Sequence, residues 1–310
     1  MYAGSKAFFY ALSRSRSLKT LASRYGMAKE DSFARRFIAG ERIEEAIACA
    51  RRLQARGMLL TLDYLGESAR TVEEAAAATS EYLRLIEVIV ASGIERNVSL
   101  KLTQLGIDID RATAVDNLRR ILGPAQTHDF FVRIDMEDSV YTAVTIEVFE
   151  TLWEQGHRNV GVALQAYLHR TEQDVRRMNE LGARVRLVKG AYKEPAAVAH
   201  QKKADVDAAF ARLTRLLLDE GAYPAIATHD PVLIDAARAY AKERGVTPDR
   251  YEFQMLFGIR RDLQALLVAQ GYRMRIYIPF GQQWFPYFMR RLGERPENVA
   301  FVLKSLVRER

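Results

Sequence analysis

The chain has 310 residues, 49% of them apolar, with 46 Lys and Arg against 39 Asp and Glu for a net charge of +7. That length suits one large or two modest domains, and the composition excludes collagenous, disordered and disulfide-stapled classes. The single cysteine, Cys49, reads as a small buried residue in a reducing, cytoplasmic compartment, and no apolar run reaches the ~18 residues of a membrane span.

The charge is unevenly placed. Residues 1–57 hold 12 Lys and Arg against 5 acidic residues, whereas the rest of the chain holds 34 of each. No acid precedes Glu30, and Ala7, Phe8, Tyr10, Ala11, Leu18, Leu21 and Ala22 recur at helical spacing among the basic residues. This predicts an N-terminal basic helical arm over 1–57. Such an arm either packs on the body of the protein or lies on an anionic membrane surface. Nucleic acid is not an expected partner, because no recognition motif accompanies the charge. A second helical stretch, Arg42–Arg56, ends at Gly57.

From Met58 onward, short apolar runs alternate with helical stretches. The runs are Met58–Leu62, Val98–Leu102, Phe130–Ile134, Val160–Leu164, Val185–Val188, Pro224–Ala227, Tyr251–Phe253 and Met274–Ile278. Their length and bounding turns fit strands, and their near-continuous apolarity predicts burial on both faces. Helical patterns cover Glu73–Ser92, Val140–Glu154, Glu172–Leu181, Val198–Glu220, Val232–Arg244 and Arg261–Ala269. Strand–helix alternation implies parallel pairing. Eight units in about 250 residues fit a (β/α)8 TIM-like barrel over 58–310. An open doubly wound sheet is the weaker reading, since the first strand leads into Asp63-Tyr64-Leu65-Gly66-Glu67 with no G-x-G-x-x-G.

Functional residues of such barrels sit at the carboxyl ends of the strands. Those ends carry Asp63, Lys101, Asp135-Met136-Glu137, Gln165, Arg186, Lys189-Gly190, Thr228-His229-Asp230, Gln254 and Tyr277. One such residue is ordinarily a structural ion pair, but convergence of all of them on one mouth predicts a site for an anionic ligand. Beyond the last strand, Tyr287, Arg290, Arg291 and Glu294 fall on one helical face at i, i+3, i+4 and i+7. Two adjacent guanidinium groups there would clamp a carboxylate or phosphate, with Glu294 steadying Arg290. Asp135, Glu137, His169 and His229 show no metal-ligand spacing, so no metal is expected, and no G-x-S-x-G supports a serine triad. A lysine at a strand end, Lys101 or Lys189, leaves open a Schiff-base, class I aldolase-like lyase.

The segments VSLKLTQLG (98–106), VRIDMEDS (132–139), VALQAYL (162–168), VRLVKGAY (185–192), IATHD (226–230), EFQMLFG (252–258), RIYIPFG (275–281) and YFMRRLGERPEN (287–298) closely resemble the proline dehydrogenase family. The resemblance runs in unbroken order over about 57–298, and RLVKGAY with YFMRRLxE is its most specific part. The length is that of the compact monofunctional bacterial type, and the match is weakest in the N-terminal arm and after Asn298.

This resemblance implies a distorted (β/α)8 barrel that binds FAD, oxidises L-proline to Δ1-pyrroline-5-carboxylate in proline catabolism, and passes electrons to a membrane quinone. It implies that Arg290 and Arg291, with Lys101, bind the proline carboxylate. Asp135 would orient the cations, Glu294 would hold the arginine pair, and Tyr277, Leu256 and Tyr287 would wall the ring. Arg186 would sit near flavin N5 and stabilise the reduced flavin. Gln165 would address the isoalloxazine edge, and Met136, Lys189, Gly190, Ala191, Tyr192, Thr228 and His229 would hold the rest of FAD. A quinone acceptor gives the basic arm a purpose, peripheral contact with the inner face of a membrane.

Overall fold

The structure is a computed structural model that describes Met27, residues 32–66 and residues 68–294, without the side chains at 33, 293 and 294. The expected basic helix over residues 1–26 lies outside these described residues.

Eight parallel strands close into one barrel in sequence order: β1 Leu59–Tyr64, β2 Asn97–Leu100, β3 Phe131–Ile134, β4 Val160–Gln165, β5 Val185–Val188, β6 Ala225–Ala227, β7 Glu252–Leu256 and β8 Met274–Phe280. Closure is direct, because β1 pairs along its whole length with β8, from Leu59 opposite Arg275 to Tyr64 opposite Phe280. The connecting helices are α2 Val72–Ser92, α3 Arg111–Thr127, α4 Thr142–Glu154, α5 Thr171–Glu180, α6 Lys203–Glu220, α7 Pro231–Glu243 and α8 Arg261–Ala269, with α1 Ile43–Gln54 before the barrel and α9 Trp284–Glu294 after it.

Local chemistry sets the helix starts. Thr71 accepts from Glu74 N at the start of α2, and Asp110 accepts from Thr113 N at the start of α3. Asp230 accepts from Val232 N above α7, whose first residue is Pro231. The spacer holding α3 is not marked by the apolar pattern, because Gly123 and Pro124 interrupt its last turns. Helix α6 begins at Lys203 rather than Val198, since residues 198–200 bond back to the β4–α5 loop: His169 N reaches Val198 O and His200 N reaches Tyr167 O.

Two differences from a regular barrel matter for function. The first concerns the outer ring. Helix α1 lies against β1, β8 and α2, the place a helix following β8 would ordinarily take. Its buried face, Ile43, Ala46, Ile47, Ala50 and Leu53, joins the core beneath the helices. Helix α9 is thereby displaced. Its apolar residues Trp284, Phe285, Phe288, Met289 and Leu292 form a separate cluster with Phe37, Ile38, Leu65 and Ile259. Trp284 Nε1 also donates to Glu41 at 2.7 Å, which ties α9 to the segment before α1.

The second difference corrects the expectation of strands apolar on both faces. The outward positions, such as Leu60, Leu62, Val98, Leu100, Val132, Ile134, Leu187, Phe253 and Ile276, are apolar and packed under the helices. Many of the inward positions are not. Thr61, Ser99, Arg133, Arg186, Glu252, Gln254 and Arg275 are buried inside the barrel, with Asp63 at its rim. The lumen is therefore filled by paired charges and hydrogen bonds. Burial of so many charges is tolerable because each meets a partner of opposite sign or a polar neighbour. Gly161 is required by this filling: a Cβ there would lie 2.3 Å from Arg184 O and 2.8 Å from Arg133 Nη1.

Candidate active site

The charges in the lumen form two layers. In the lower one, near the amino ends of the strands, Arg275 donates to Glu252 at 2.7 and 2.9 Å and to Glu95 at 2.7 Å. Glu95 comes from the α2–β2 connection and also accepts from Leu60 N. Arg133 donates to the carbonyls of Val162 and Arg184.

In the upper layer, near the carboxyl ends, Lys101 Nζ lies 2.9 Å from Asp63 Oδ1 and 3.6 Å from Asp135 Oδ2. Tyr277 donates its hydroxyl to Asp135 Oδ2 at 2.7 Å. Arg186 spans the lumen from β5, donating to Asp135 Oδ1, to Gln254 Oε1 at 2.6 Å and to Ser99 Oγ at 2.9 Å. Its guanidinium carbon stands 5.3 Å from the centre of the Tyr277 ring. Burial disfavours the charge on Lys101, but Asp63 and Asp135 outweigh it and hold the ammonium above its usual range. Burial, reinforced by Asp135 and Asp63, likewise raises Tyr277 well above a free phenol, so it stays a donor. Burial lifts Asp63 as well, against the pull of Lys101.

Above this layer opens a cavity of about 550 Å³. Lys101, Asp135, Met136, Gln165, Arg186, Lys189, Gly190, Ala191, Tyr192, Thr228, His229, Leu256, Tyr277, Tyr287, Arg290 and Arg291 all line it. Every residue to which the resemblance gives a role is thus brought to one cavity, apart from Glu294, whose side chain lies outside the described residues. Helix α9 supplies two arginines to this cavity, and the Arg291 guanidinium stands 5.1 Å from the Tyr287 ring centre. Burial pushes the Tyr192 phenol up to about 12. His229 also serves the frame of the barrel. Its Nε2 accepts from Leu256 N at 3.0 Å, tying the end of β6 to the end of β7. Gln264, buried in α8, donates to Leu256 O at 3.2 Å and so fixes the same residue from its other side.

At one end of the cavity, Lys189 pairs with Asp207 at 2.5 Å and Asp230 at 3.0 Å, and Lys203 pairs with the same two acids. Lys203 and Arg260 line the cavity although sequence reasoning did not select them. They stand at the starts of α6 and α8, and a search confined to strand ends passes over helix starts. Arg260 adopts a left-handed backbone, φ 52°, and is held by Asp262 at 2.9 Å. Three helix amino ends (α6, α7 and α8) together with three cations make this end suited to a phosphate group.

FAD combines a diphosphate with a flat ring whose edge alternates donors and acceptors. Gln165 offers a direct test of fit. Its Nε2 donates to Glu137 O at 3.1 Å, while its buried Oε1 has no partner among the described residues. A buried unpaired acceptor on a cavity wall is costly unless a ligand donor meets it. The residues present therefore fit such a group: Gln165 for the ring edge, and Lys189, Lys203 and Arg260 for the diphosphate.

The chain as a whole is similar to known proteins. The family described as proline dehydrogenase matches residues 46–304. Proline dehydrogenase 2 of Bacillus subtilis (strain 168) is 41% identical over 305 residues, covering 98% of this chain and 99% of that protein. The proline dehydrogenase of Deinococcus radiodurans is 42% identical over 281 residues, covering 89% and 91%. Among solved structures, proline utilization A from Bdellovibrio bacteriovorus, inactivated by N-propargylglycine, superposes with a TM-score of 0.78 at 28% identity. That match covers 84% of this chain but only 32% of the larger protein.

Proposed function

Because this chain belongs to the proline dehydrogenase family, we propose that it oxidises L-proline to Δ1-pyrroline-5-carboxylate with bound FAD and delivers the electrons to a membrane quinone. The observation that carries this reading is the meeting of Arg290 and Arg291 with Lys101, Asp135 and Tyr277 around one cavity. A carboxylate needs the paired guanidinium groups, and a saturated ring needs the apolar walls that Leu256 and the Tyr277 ring supply.

When bound, FAD supplies the hydride acceptor for this chemistry. The protein's own residues do the rest. Arg290 and Arg291 bind the carboxylate, and Lys101 adds a third positive charge whose own balance is kept by Asp63 and Asp135. Fixing the carboxylate orients the ring, and orientation supplies much of the rate. Asp135 receives Tyr277 and Arg186 on separate oxygens, so one carboxylate sets both the ring wall and the central cation. Lys101 and Tyr277 both hold their protons firmly, so neither takes the proton that the substrate amine must lose.

The Schiff-base alternative is disfavoured on the same ground. Nucleophilic attack needs a neutral amine, but Lys101 is kept as an ammonium and Lys189 is ion-paired with Asp207 and Asp230. Turnover of proline with an artificial electron acceptor, with pyrroline-5-carboxylate as product, tests the proposal. A protein that is instead trapped by borohydride in the presence of a keto substrate would contradict it.

No helix among the described residues is long and apolar enough to cross a membrane. The proposed contact with a quinone-bearing membrane rests on the basic residues before Glu30 as the attracting charge. Pelleting with anionic liposomes, lost at high salt and on removal of residues 1–30, is the expected behaviour. Equal pelleting without those residues would remove the assignment.

A further inference from the structure

Gln254 stands where the two charge layers of the lumen meet. Its Nε2 donates to Glu252 Oε1, and its Oε1 accepts from Arg186 Nε at 2.6 Å. A charged partner at each end leaves only one orientation for the amide. Turned over, it would set oxygen against carboxylate and NH2 against guanidinium. Glu252 is in turn fixed by Nε and Nη2 of Arg275 and by the Tyr223 hydroxyl at 3.2 Å. Gln254 is 4% exposed and Glu252 2%, so water does not compete for these bonds.

Arg186 is a long side chain that would otherwise sample several directions. Three acceptors from three different strands or strand ends fix the plane of its guanidinium: Ser99, Asp135 and Gln254. Two of them hold the outer nitrogens, and Gln254 alone holds Nε, the point nearest the chain. Without it the head group can pivot, and Asp135 and Tyr277 move with it.

We infer that Gln254 is a positioning residue for the reaction, carrying the rigidity of the Glu252–Arg275 pair into Arg186 and so setting where Asp135 and Tyr277 stand at the cavity floor. The inference rests on the proposed flavin-dependent oxidation. It also separates substrate binding from turnover. The two arginines of the carboxylate clamp belong to α9, whereas Gln254 bonds to Glu252 and Arg186, so its loss acts on turnover and on the cofactor's potential more strongly than on substrate affinity.

The test uses the flavin-loaded enzyme as wild type, Gln254→Leu and Gln254→Glu, with kcat, KM for proline and flavin midpoint potential measured from pH 5 to pH 9. In Gln254→Leu, kcat falls about tenfold to a hundredfold, the scale of one hydrogen bond to a charged group. KM stays within about threefold, and the midpoint potential moves to more negative values because the central cation is less well placed.

Gln254→Glu gives a signature that packing alone would not. The new acid faces Glu252 on its own strand, with Arg186 from β5, Arg275 from β8 and Arg133 from β3 around it, Asp135 beyond Arg186 and Glu95 beyond Arg275. Protonated, it donates to Glu252 and accepts from Arg186 as the amide does. Ionised, it sets two carboxylates side by side. Its activity relative to wild type is therefore highest at acid pH and declines as pH rises. Wild-type kcat and potential in Gln254→Leu, a KM that rises as much as kcat falls, or a Gln254→Glu profile parallel to wild type would each overturn the inference. If Gln254→Leu does not fold, the Gln254→Glu profile decides alone. A wild-type protein whose flavin is not reduced by proline would overturn the proposed function, and this inference with it.

Discussion

The two charge layers inside the barrel use the same residue types to opposite ends. In the lower layer, Arg275 is enclosed by Glu252, Glu95 and the carbonyl of Leu60, and none of these residues lines the cavity. In the upper layer, Lys101 is shared between Asp63 and Asp135, and Lys101, Asp135 and Arg186 all face the cavity. The difference lies in what closes each end. Glu95 and Arg133 plug the amino end of the lumen, whereas the carboxyl end opens into the cavity, which α9 lines with two further arginines. A buried ion pair with all its donors met is a structural element; the same pair left at an open mouth becomes a binding floor.

The sharpest way to break this contrast is Arg275→Met. It strands Glu252 as an uncompensated buried charge, leaves the part-exposed Glu95 without its partner, and should cost about 3–5 kcal/mol of stability in urea unfolding. KM for proline in the protein that remains folded should be unchanged. A variant as stable as the parent would show that the lower layer is not structural. Arg291→Met addresses the upper end. Halving a desolvated clamp worth roughly 2–5 kcal/mol should raise KM for proline at least about tenfold with little change in unfolding midpoint. An unchanged KM would remove the clamp assignment.

A smaller effect is expected at the ring wall. Tyr277→Ser should narrow the preference for proline over 4-hydroxyproline by about tenfold in kcat/KM, the scale of a pocket contact. Equal losses for both substrates would show that Tyr277 does not read the ring.

The smallest effect concerns pH. Burial pushes the Glu252 carboxyl up, but Arg275 more than compensates and holds it below its ordinary 4.5. The folded state therefore favours the ionised form. The stability this supplies is complete above pH 4.5 and is lost as pH falls through the lower folded value. The stability gap between wild type and Glu252→Gln should thus shrink on acidification from pH 6 to pH 3. A gap that widened would reverse the assignment.

Much of this was legible in the residues. All eight strands lie where short apolar runs occur, and the strand-end residues line one cavity except Asp63, which lies beneath it against Lys101, and Glu137, which accepts from Thr103. The polar lumen was also written in the runs, as the Lys of VSLKL, the Arg of FFVRI and VRLV, the Glu of YEF and the Arg and Tyr of MRIYI. Each occupies the inward position of a strand whose outward positions are apolar. Reading the runs as uniformly buried hides this, because a paired charge and an aliphatic residue are equally inaccessible. The place of α1 beside β8 and β1 was not legible, since the displacement of α9 depends on a contact between distant parts of the chain. Glu95 and Arg260 were missed for a related reason: each comes from a loop or a helix start and acquires its role only from what the closed barrel places beside it.

That this cavity holds a flavin and presents proline to it is tested most directly by the visible absorption spectrum of the purified protein. The spectrum is recorded without oxygen, before and after addition of L-proline. A yellow protein that proline bleaches is the predicted result. A colourless protein, or a flavin band unaffected by proline, would contradict it.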